Sequence, residues 1–301
     1  QRSLTTLRII PFWNSYSFYI TYANIDKIYN PPFPKDLSYF ANPLDRHLIS
    51  ITEKLTLDVT QAFDDYDLAS SIPKMVNYID LLNNWYIRRS RRRFWKSEND
   101  SDKLQAYTAL YSALKRFSLL FAPVVPFVTE TIWQNLRDKT DKISIHLEDY
   151  PEYRASLRDE ELEFKMETVQ KAISMARNLR YQFNLKIRQP LRAVEIVTKN
   201  KAEQACLMEM EDSIIEELNV KEIEFSSDIT SFMNYDVKPN FATLGKKLGA
   251  KLKPLGQVLA TTDAKEIVDT LDEKGSITFN LNGEDTILAK EDFLINVKAK
   301  E

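Results

Sequence analysis

The sequence predicts a mainly α protein, a helical bundle followed by a smaller α/β domain with a C-terminal hairpin. Three observations carry that expectation. Glycine is absent before Gly245, so more than two hundred residues run without the residue that tight-turned sheets favour. Apolar residues in that stretch recur at threes and fours, the period of a helix face. After Gln189-Pro190 the texture changes to short alternating runs, and Asn282-Gly283 supplies a strong hairpin signal.

An aromatic helix is expected first, from about Leu7 to Ala23, packing Trp13, Tyr16, Tyr19 and Ile20. Asn42-Pro43-Leu44-Asp45 then provides an N-cap, a first-turn proline and an acid near the positive end of a helix dipole. Leu44, Leu48, Ile51, Leu55, Val59 and Ala62 form its apolar stripe, with a polar reverse side. Asp67 caps a helix that carries Pro73 after its first turn and leads through Trp85 and Tyr86 into a run of arginines. Ser101 opens another, from Leu104 to Phe121, and Pro123 and Pro126 punctuate the entry to a shorter helix through Trp133 and Leu136. Short loops make these neighbours antiparallel. An acidic, loop-like stretch covers 139–153, and a long helix comes next, from about Leu157 to Phe183. Leu191–Val197 alternates like a strand, an acidic helix is expected from Glu203 to Leu218, and Lys221–Phe225 is a second strand candidate. Residues 276–281 and 285–290 flank the hairpin turn. The boundary is placed at Pro190, with a bundle over 1–189 and an α/β domain over 190–301.

The 301 residues suffice for a substantial core, and 28% charged with 44% hydrophobic residues is ordinary globular composition. No window holds the run of about 18 apolar residues that a membrane span needs. Cys206 is the single cysteine, so an internal disulfide is excluded and a reducing compartment suits the chain. With only His47 and His146 beside it, a Cys/His zinc cluster is excluded too. The chain starts at Gln1 without methionine or signal peptide, inside helical pattern, and reads as a piece of a longer polypeptide.

Against a net charge of −3, five arginines and a lysine fall within Arg88–Lys96, bracketed by Trp85, Tyr86, Phe94 and Trp95. Helical continuation places Arg88, Arg92 and Trp95 on one stripe and Arg89, Arg92 and Arg93 on its neighbour. Such a run needs negative charge opposite it. Phosphates of a nucleic acid would serve, and so would carboxylates on neighbouring helices of the same molecule; composition leaves both open. A second basic cluster, Arg177, Arg180, Lys186 and Arg188, reads first as a solvated face. The third, Leu244–Gly256, interleaves lysine with glycine but is no phosphate-binding P-loop, because Asn240 and Lys247 stand where that motif needs glycine and Ser or Thr. His47 in a helix stripe, His146 in an acidic loop and Cys206 in a helix have no nucleophile, base and oxyanion set around them. No residue is nominated as catalytic or as a metal ligand.

Several segments resemble, in family order, the C-terminal part of isoleucyl-tRNA synthetase. They are Trp13–Tyr19, the Asn-Trp-Tyr-Ile-Arg-Arg-Ser-Arg run with its continuation to Trp95, Ala122–Phe127, Arg188–Leu191, Leu218–Lys221, and Lys238–Phe241 with the subsequent Leu-Gly-Lys-Lys. The form resembled is that of eukaryotic cytosolic and some bacterial enzymes. The resemblance implies an enzyme that joins isoleucine to its tRNA with ATP and magnesium in a class I catalytic core, and edits in an inserted domain. The core motifs His-Ile-Gly-His and Lys-Met-Ser-Lys-Ser are absent from this sequence, so the resemblance assigns no cofactor and no catalysis here. It makes 1–189 the anticodon-binding bundle and 190–301 a C-terminal extension, in a cytoplasmic protein without membrane contact. The implied partners are isoleucine tRNA and the catalytic core of the same polypeptide. Arg88, Arg89, Arg91, Arg92, Arg93 and Trp95 are expected to meet tRNA or the core, with Lys186, Arg188, Lys246 and Lys247 as secondary contacts. Trp85, Tyr86 and Trp95 are expected to pack the basic helix onto the bundle. The equivalent domain of a valyl- or leucyl-tRNA synthetase, or a helical protein-interaction module, stands as the alternative.

Overall fold

The computed structural model describes residues 9–96, 100–198, 200–226, 233–249, 252–281 and 283–299. The chain forms two compact units, Gln1–Lys171 and Ala172–Glu301.

Among the described residues, the regular structure of the first unit is helical throughout. It comprises α1 (Ile10–Asp26), α2 (Pro43–Asp64), α3 (Leu68–Leu81), a π-helical segment Leu82–Ile87, α4 (Arg88–Lys96), α5 (Asp100–Phe121), α6 (Pro126–Leu136) and the first turns of α7 (Glu160–Gln182). Asn42 caps α2, its side chain accepting from the Leu44 amide at 2.9 Å, and Asp67 caps α3 by accepting from the Ser70 amide at 3.2 Å. Asn42→Ala is expected to cost about 1 kcal/mol, measurable as a lowered urea midpoint. The expected start of α1 at Leu7 lies outside the described residues; the helix runs past Ala23 and ends where Lys27 enters the left-handed region at φ 57°.

Aromatic rings knit the core. Phe12 meets Phe117 edge-on at 4.9 Å, Tyr78 stacks on the same Phe117 at 4.9 Å, and Phe94 meets Tyr107 at 4.8 Å. The helix α2 packs on both α3 and α5. Part of its expected polar reverse side is therefore buried as well, namely His47, Ser50, Thr52, Glu53 and Thr56. Several of those polar groups find partners inside the protein. Thr52 shares a 2.6 Å hydrogen bond with Tyr78, and Glu53 accepts from Arg116 and from the Arg154 amide, each at 2.9 Å. Packing against two neighbours leaves α2 a solvent strip at Lys54, Leu57 and Gln61, and a stripe-and-reverse pattern cannot reveal how narrow that strip is.

The second unit begins inside α7. Sequence texture placed a break at Pro190, whereas the compact units part between Lys171 and Ala172, because Arg177 and Arg180 near the end of α7 bond to later elements of the chain. Strand β1 (Leu191–Val197) runs parallel to β2 (Val220–Ser226), with Leu191 opposite Val220. Two helices, α8 (Lys201–Glu209) and α9 (Glu211–Leu218), connect them where a single acidic helix was expected. The break at Met210 lets Glu211 and Asp212 occupy a new first turn, where the helix dipole favours acids. Strand β3 (Met233–Pro239) pairs antiparallel with β6 (Phe293–Ala299). Between them lie α10 (Phe241–Leu248), α11 (Leu252–Thr261), α12 (Ala264–Lys274) and the expected hairpin, β4 (Ser276–Leu281) with β5 (Glu284–Ala289). Gly283 supplies the φ of 89° that its turn requires; Asn282 lies outside the described residues. Leu244, Leu255, Ile267, Leu271, Phe279, Leu281, Leu288 and Phe293 form the core of this part.

Candidate nucleic-acid interface

The arginine run is helical, and its phase is set by the segment before it. Over Leu82–Ile87 the chain adopts a π-helical turn, which takes one extra residue and so rotates α4 relative to a straight α continuation. Asn83 ties that turn down by donating to Ile79 O at 2.9 Å and Pro11 O at 3.0 Å. Leu82, Trp85, Tyr86 and Ile87 are buried there, and Ser90 and Phe94 continue the buried side into α4.

The result divides the five arginines. Arg88, Arg91, Arg92 and Trp95 are exposed, at the i, i+3, i+4, i+7 spacing of a single helix face. Arg91 joins the stripe foreseen for Arg88, Arg92 and Trp95. Its guanidinium stands 5.2 Å from the Trp95 ring and 5.8 Å from Phe18, and among the described residues Arg92 has no ion-pair partner. Trp95 is half exposed, unlike Trp85 and Tyr86, so it packs only one flank on the bundle, 6.3 Å from Tyr22.

Arg89 and Arg93 sit on the inner flank. Arg89 lies 4.5 Å over the Trp85 ring. Arg93 donates from Nη1 and Nη2 to the two carboxylate oxygens of Asp45 at 2.8 and 2.7 Å, and from Nε and Nη2 to those of Asp102 at 2.9 and 2.6 Å. Tyr86 donates to the same Asp45 at 2.7 Å. Burial works against the Arg93 charge, but the two carboxylates outweigh it and hold the guanidinium above the usual arginine range. Of the two sources of negative charge left open by composition, the internal carboxylates are found at Arg93. Arg93 takes internal carboxylates; Arg88, Arg91 and Arg92 face outward.

The other nominated residues separate in the same way. Lys247 pairs with Asp292 at 2.8 Å, and the Lys246 side chain lies outside the described residues. Lys186 and Arg188 are exposed on the turn after α7, and neither has an ion-pair partner among the described residues. Arg177 pairs with Glu217, and Arg180 is buried, its guanidinium donating to backbone carbonyls. Sequence reasoning passed over Tyr181 and Phe183, which are strongly exposed at the end of α7. The available signal was two aromatics beside a helix-stopping Asn184 and just ahead of Lys186 and Arg188. His47 is buried in the bundle and His146 exposed in its loop. Among the described residues no group of three His, Cys, Asp or Glu is placed to hold a metal, and no helix is long and apolar enough to cross a membrane.

A helical bundle with an outward cationic face on one short helix, followed by an α/β unit, defines a module that carries an exposed cationic ridge. The family model described as the anticodon-binding domain of tRNA ligase matches residues 45–196, and the chain belongs to that family. It is 56% identical over 299 residues to the isoleucine–tRNA ligase of Treponema denticola, in an alignment covering 96% of this chain and 27% of that protein. The isoleucine–tRNA ligase of Treponema pallidum (strain Nichols) is 48% identical, over 95% of this chain and 27% of its own length. That of Protochlamydia amoebophila is 39% identical, over 97% and 28%. The chain therefore spans little more than a quarter of the length of these curated relatives.

Proposed function

We propose that this chain is the tRNA-gripping part of an isoleucine–tRNA ligase, the enzyme that joins isoleucine to its tRNA with ATP, and that it acts in the cytoplasm. The observation that carries the reading is the exposed face of Arg88, Arg91, Arg92 and Trp95 within an anticodon-binding bundle. Guanidinium groups match phosphate oxygens in geometry and supply salt-dependent affinity without reading sequence. Discrimination among tRNAs then belongs to base contacts elsewhere on the surface. The catalytic core of the same polypeptide, where ATP and magnesium act, is the second partner; this portion holds neither. Arg93 supports the ridge from inside rather than touching RNA.

A salt titration tests the reading. Isoleucine tRNA bound by the wild-type chain should show a log-log slope of about −0.7 to −0.9 per phosphate neutralised. Arg91→Gln and Arg92→Gln should each lower the affinity and reduce the slope by about one phosphate. Isoleucine tRNA should also compete better than valine and leucine tRNAs. A slope near zero in the wild type, or slopes unchanged in both variants, would remove the ridge from RNA binding.

A further inference from the structure

The helix α7 ends in a double turn that is built from beneath. Leu185 N–H donates to Arg180 O at 2.8 Å and Asn184 N–H to Tyr181 O at 3.1 Å, with Asn184 left-handed at φ 55°. The chain then turns again, Gln189 N–H donating to Lys186 O at 2.9 Å. Arg180, only 6% exposed, donates from Nη1 to Lys186 O and Gln189 O, both at 3.0 Å, and from Nη2 to Leu218 O at 2.8 Å. Asn219 adds a bond to Ile187 O at 3.2 Å. Three carbonyls of the turn are thus held from inside, and its side chains Lys186, Ile187 and Arg188 are left exposed.

Tyr181 is 82% and Phe183 66% exposed on the same helix end. Phe183 also borders, together with Leu179, Leu185, Leu191 and Val194, a mainly apolar groove of about 280 Å³ whose charged lining residues are Arg180 and Glu195. Open aromatic faces, a mainly apolar slot and two cations that lack carboxylate partners among the described residues ask for a ligand that is flat, apolar and anionic at once. Single-stranded RNA has that chemistry, because every base offers a π face and every link a phosphate. An apolar protein segment could fill the groove but would leave Lys186 and Arg188 without counter-charge.

We propose that this clasped turn is a second RNA contact, where an unstacked base lies on Phe183 at the mouth of the groove and its flanking phosphates meet Lys186 and Arg188. The proposal rests on the tRNA-binding reading and gives the single-stranded anticodon loop a place on this unit. Arg180 and Asn219 are positioning residues, since holding the turn in advance removes an ordering cost on binding.

The test is a titration of the chain into an isoleucine tRNA anticodon hairpin carrying 2-aminopurine at each loop position in turn. One position should lose fluorescence on binding as the probe stacks. Phe183→Leu should abolish that quench and weaken binding about 10-fold, while Phe183→Trp retains both. The Lys186→Gln, Arg188→Gln pair should reduce the salt slope by about two phosphates. Arg92→Gln should weaken binding of full tRNA and leave the quench intact. RNA bound by the wild type with a quench that survives Phe183→Leu overturns this contact and leaves the ridge reading standing. Absence of tRNA binding by the wild type overturns both. Self-association that Phe183→Leu abolishes, with RNA binding unchanged, makes the patch a protein interface and also overturns the proposal.

Discussion

Replacing Arg93 by alanine is expected to destabilise the bundle by about 3–5 kcal/mol, the cost of leaving a buried charge without its partner. Asp45 is fully buried in the first turn of α2, and its two oxygens accept from Arg93 and Tyr86. The helix N-terminus offers that carboxylate some favourable dipole, typically up to about 1 kcal/mol, which cannot replace a bidentate guanidinium. Arg92→Ala, one position away but exposed, should change stability by no more than about 0.5 kcal/mol. The contrast is the diagnostic. Urea unfolding of the two variants should give well separated midpoints at an unchanged slope, and near-equal midpoints would show that the Arg93 pairing contributes nothing. Asp45→Asn combined with Arg93→Ala should recover part of the loss, because the stranded charge has gone. Arg93→Lys should rescue little, since an ammonium cannot reproduce the fork that bridges Asp45 and Asp102.

The second large effect is a loss of stability in mild acid, controlled by His47. Burial lowers its pKa from the ordinary 6.5 to about 4. Above about pH 7.5 the imidazole is neutral in both folded and unfolded chains, and its contribution is fully present. As pH falls through 6.5 the unfolded chain takes up the proton and the folded protein does not, so stability declines until the folded pKa is reached. The difference amounts to about 3 kcal/mol between about pH 7.5 and 4. Lys54, Asp58, Lys74, Glu163 and Glu167 share the groove that His47 borders. Asp58 already pairs with Lys54 at 2.8 Å, and Glu163 accepts from Ser50 at 2.6 Å, so those acids have nearer partners than the imidazole. Urea unfolding at a series of pH values should show a steeper decline between about pH 7 and 4.5 for wild type than for His47→Gln. Parallel curves would mean that His47 charges readily in the folded protein.

Much of the architecture was legible from local chemistry. Asn42, Asp67 and Pro126 announce helix starts because a capping side chain or a missing amide acts within one turn. The Ser276–Ala289 hairpin was legible for the same reason, since Asn-Gly fits the turn a tight hairpin requires. The pairing of β3 with β6 was not, because its partners lie about sixty positions apart (Met233 with Ala299, Pro239 with Phe293) and neither run advertises the other. The burial of part of the polar side of α2 escaped notice likewise, because only the neighbours of a helix decide how much of its second face sees water.

The candidate interface divides along that line. Composition and spacing alone established that positive charge is concentrated between Arg88 and Lys96, on a helix, flanked by rings. Which guanidinium groups point outward was decided by the folded molecule. The π turn over Leu82–Ile87 sets the rotation of α4, and α2 delivers Asp45 beneath Arg93 from 48 positions away in the chain. Charge neutralisation acts through space and ignores sequence separation, so five arginines that look equivalent in one dimension become one internal clasp, one ring-stacked neighbour and three groups turned toward solvent.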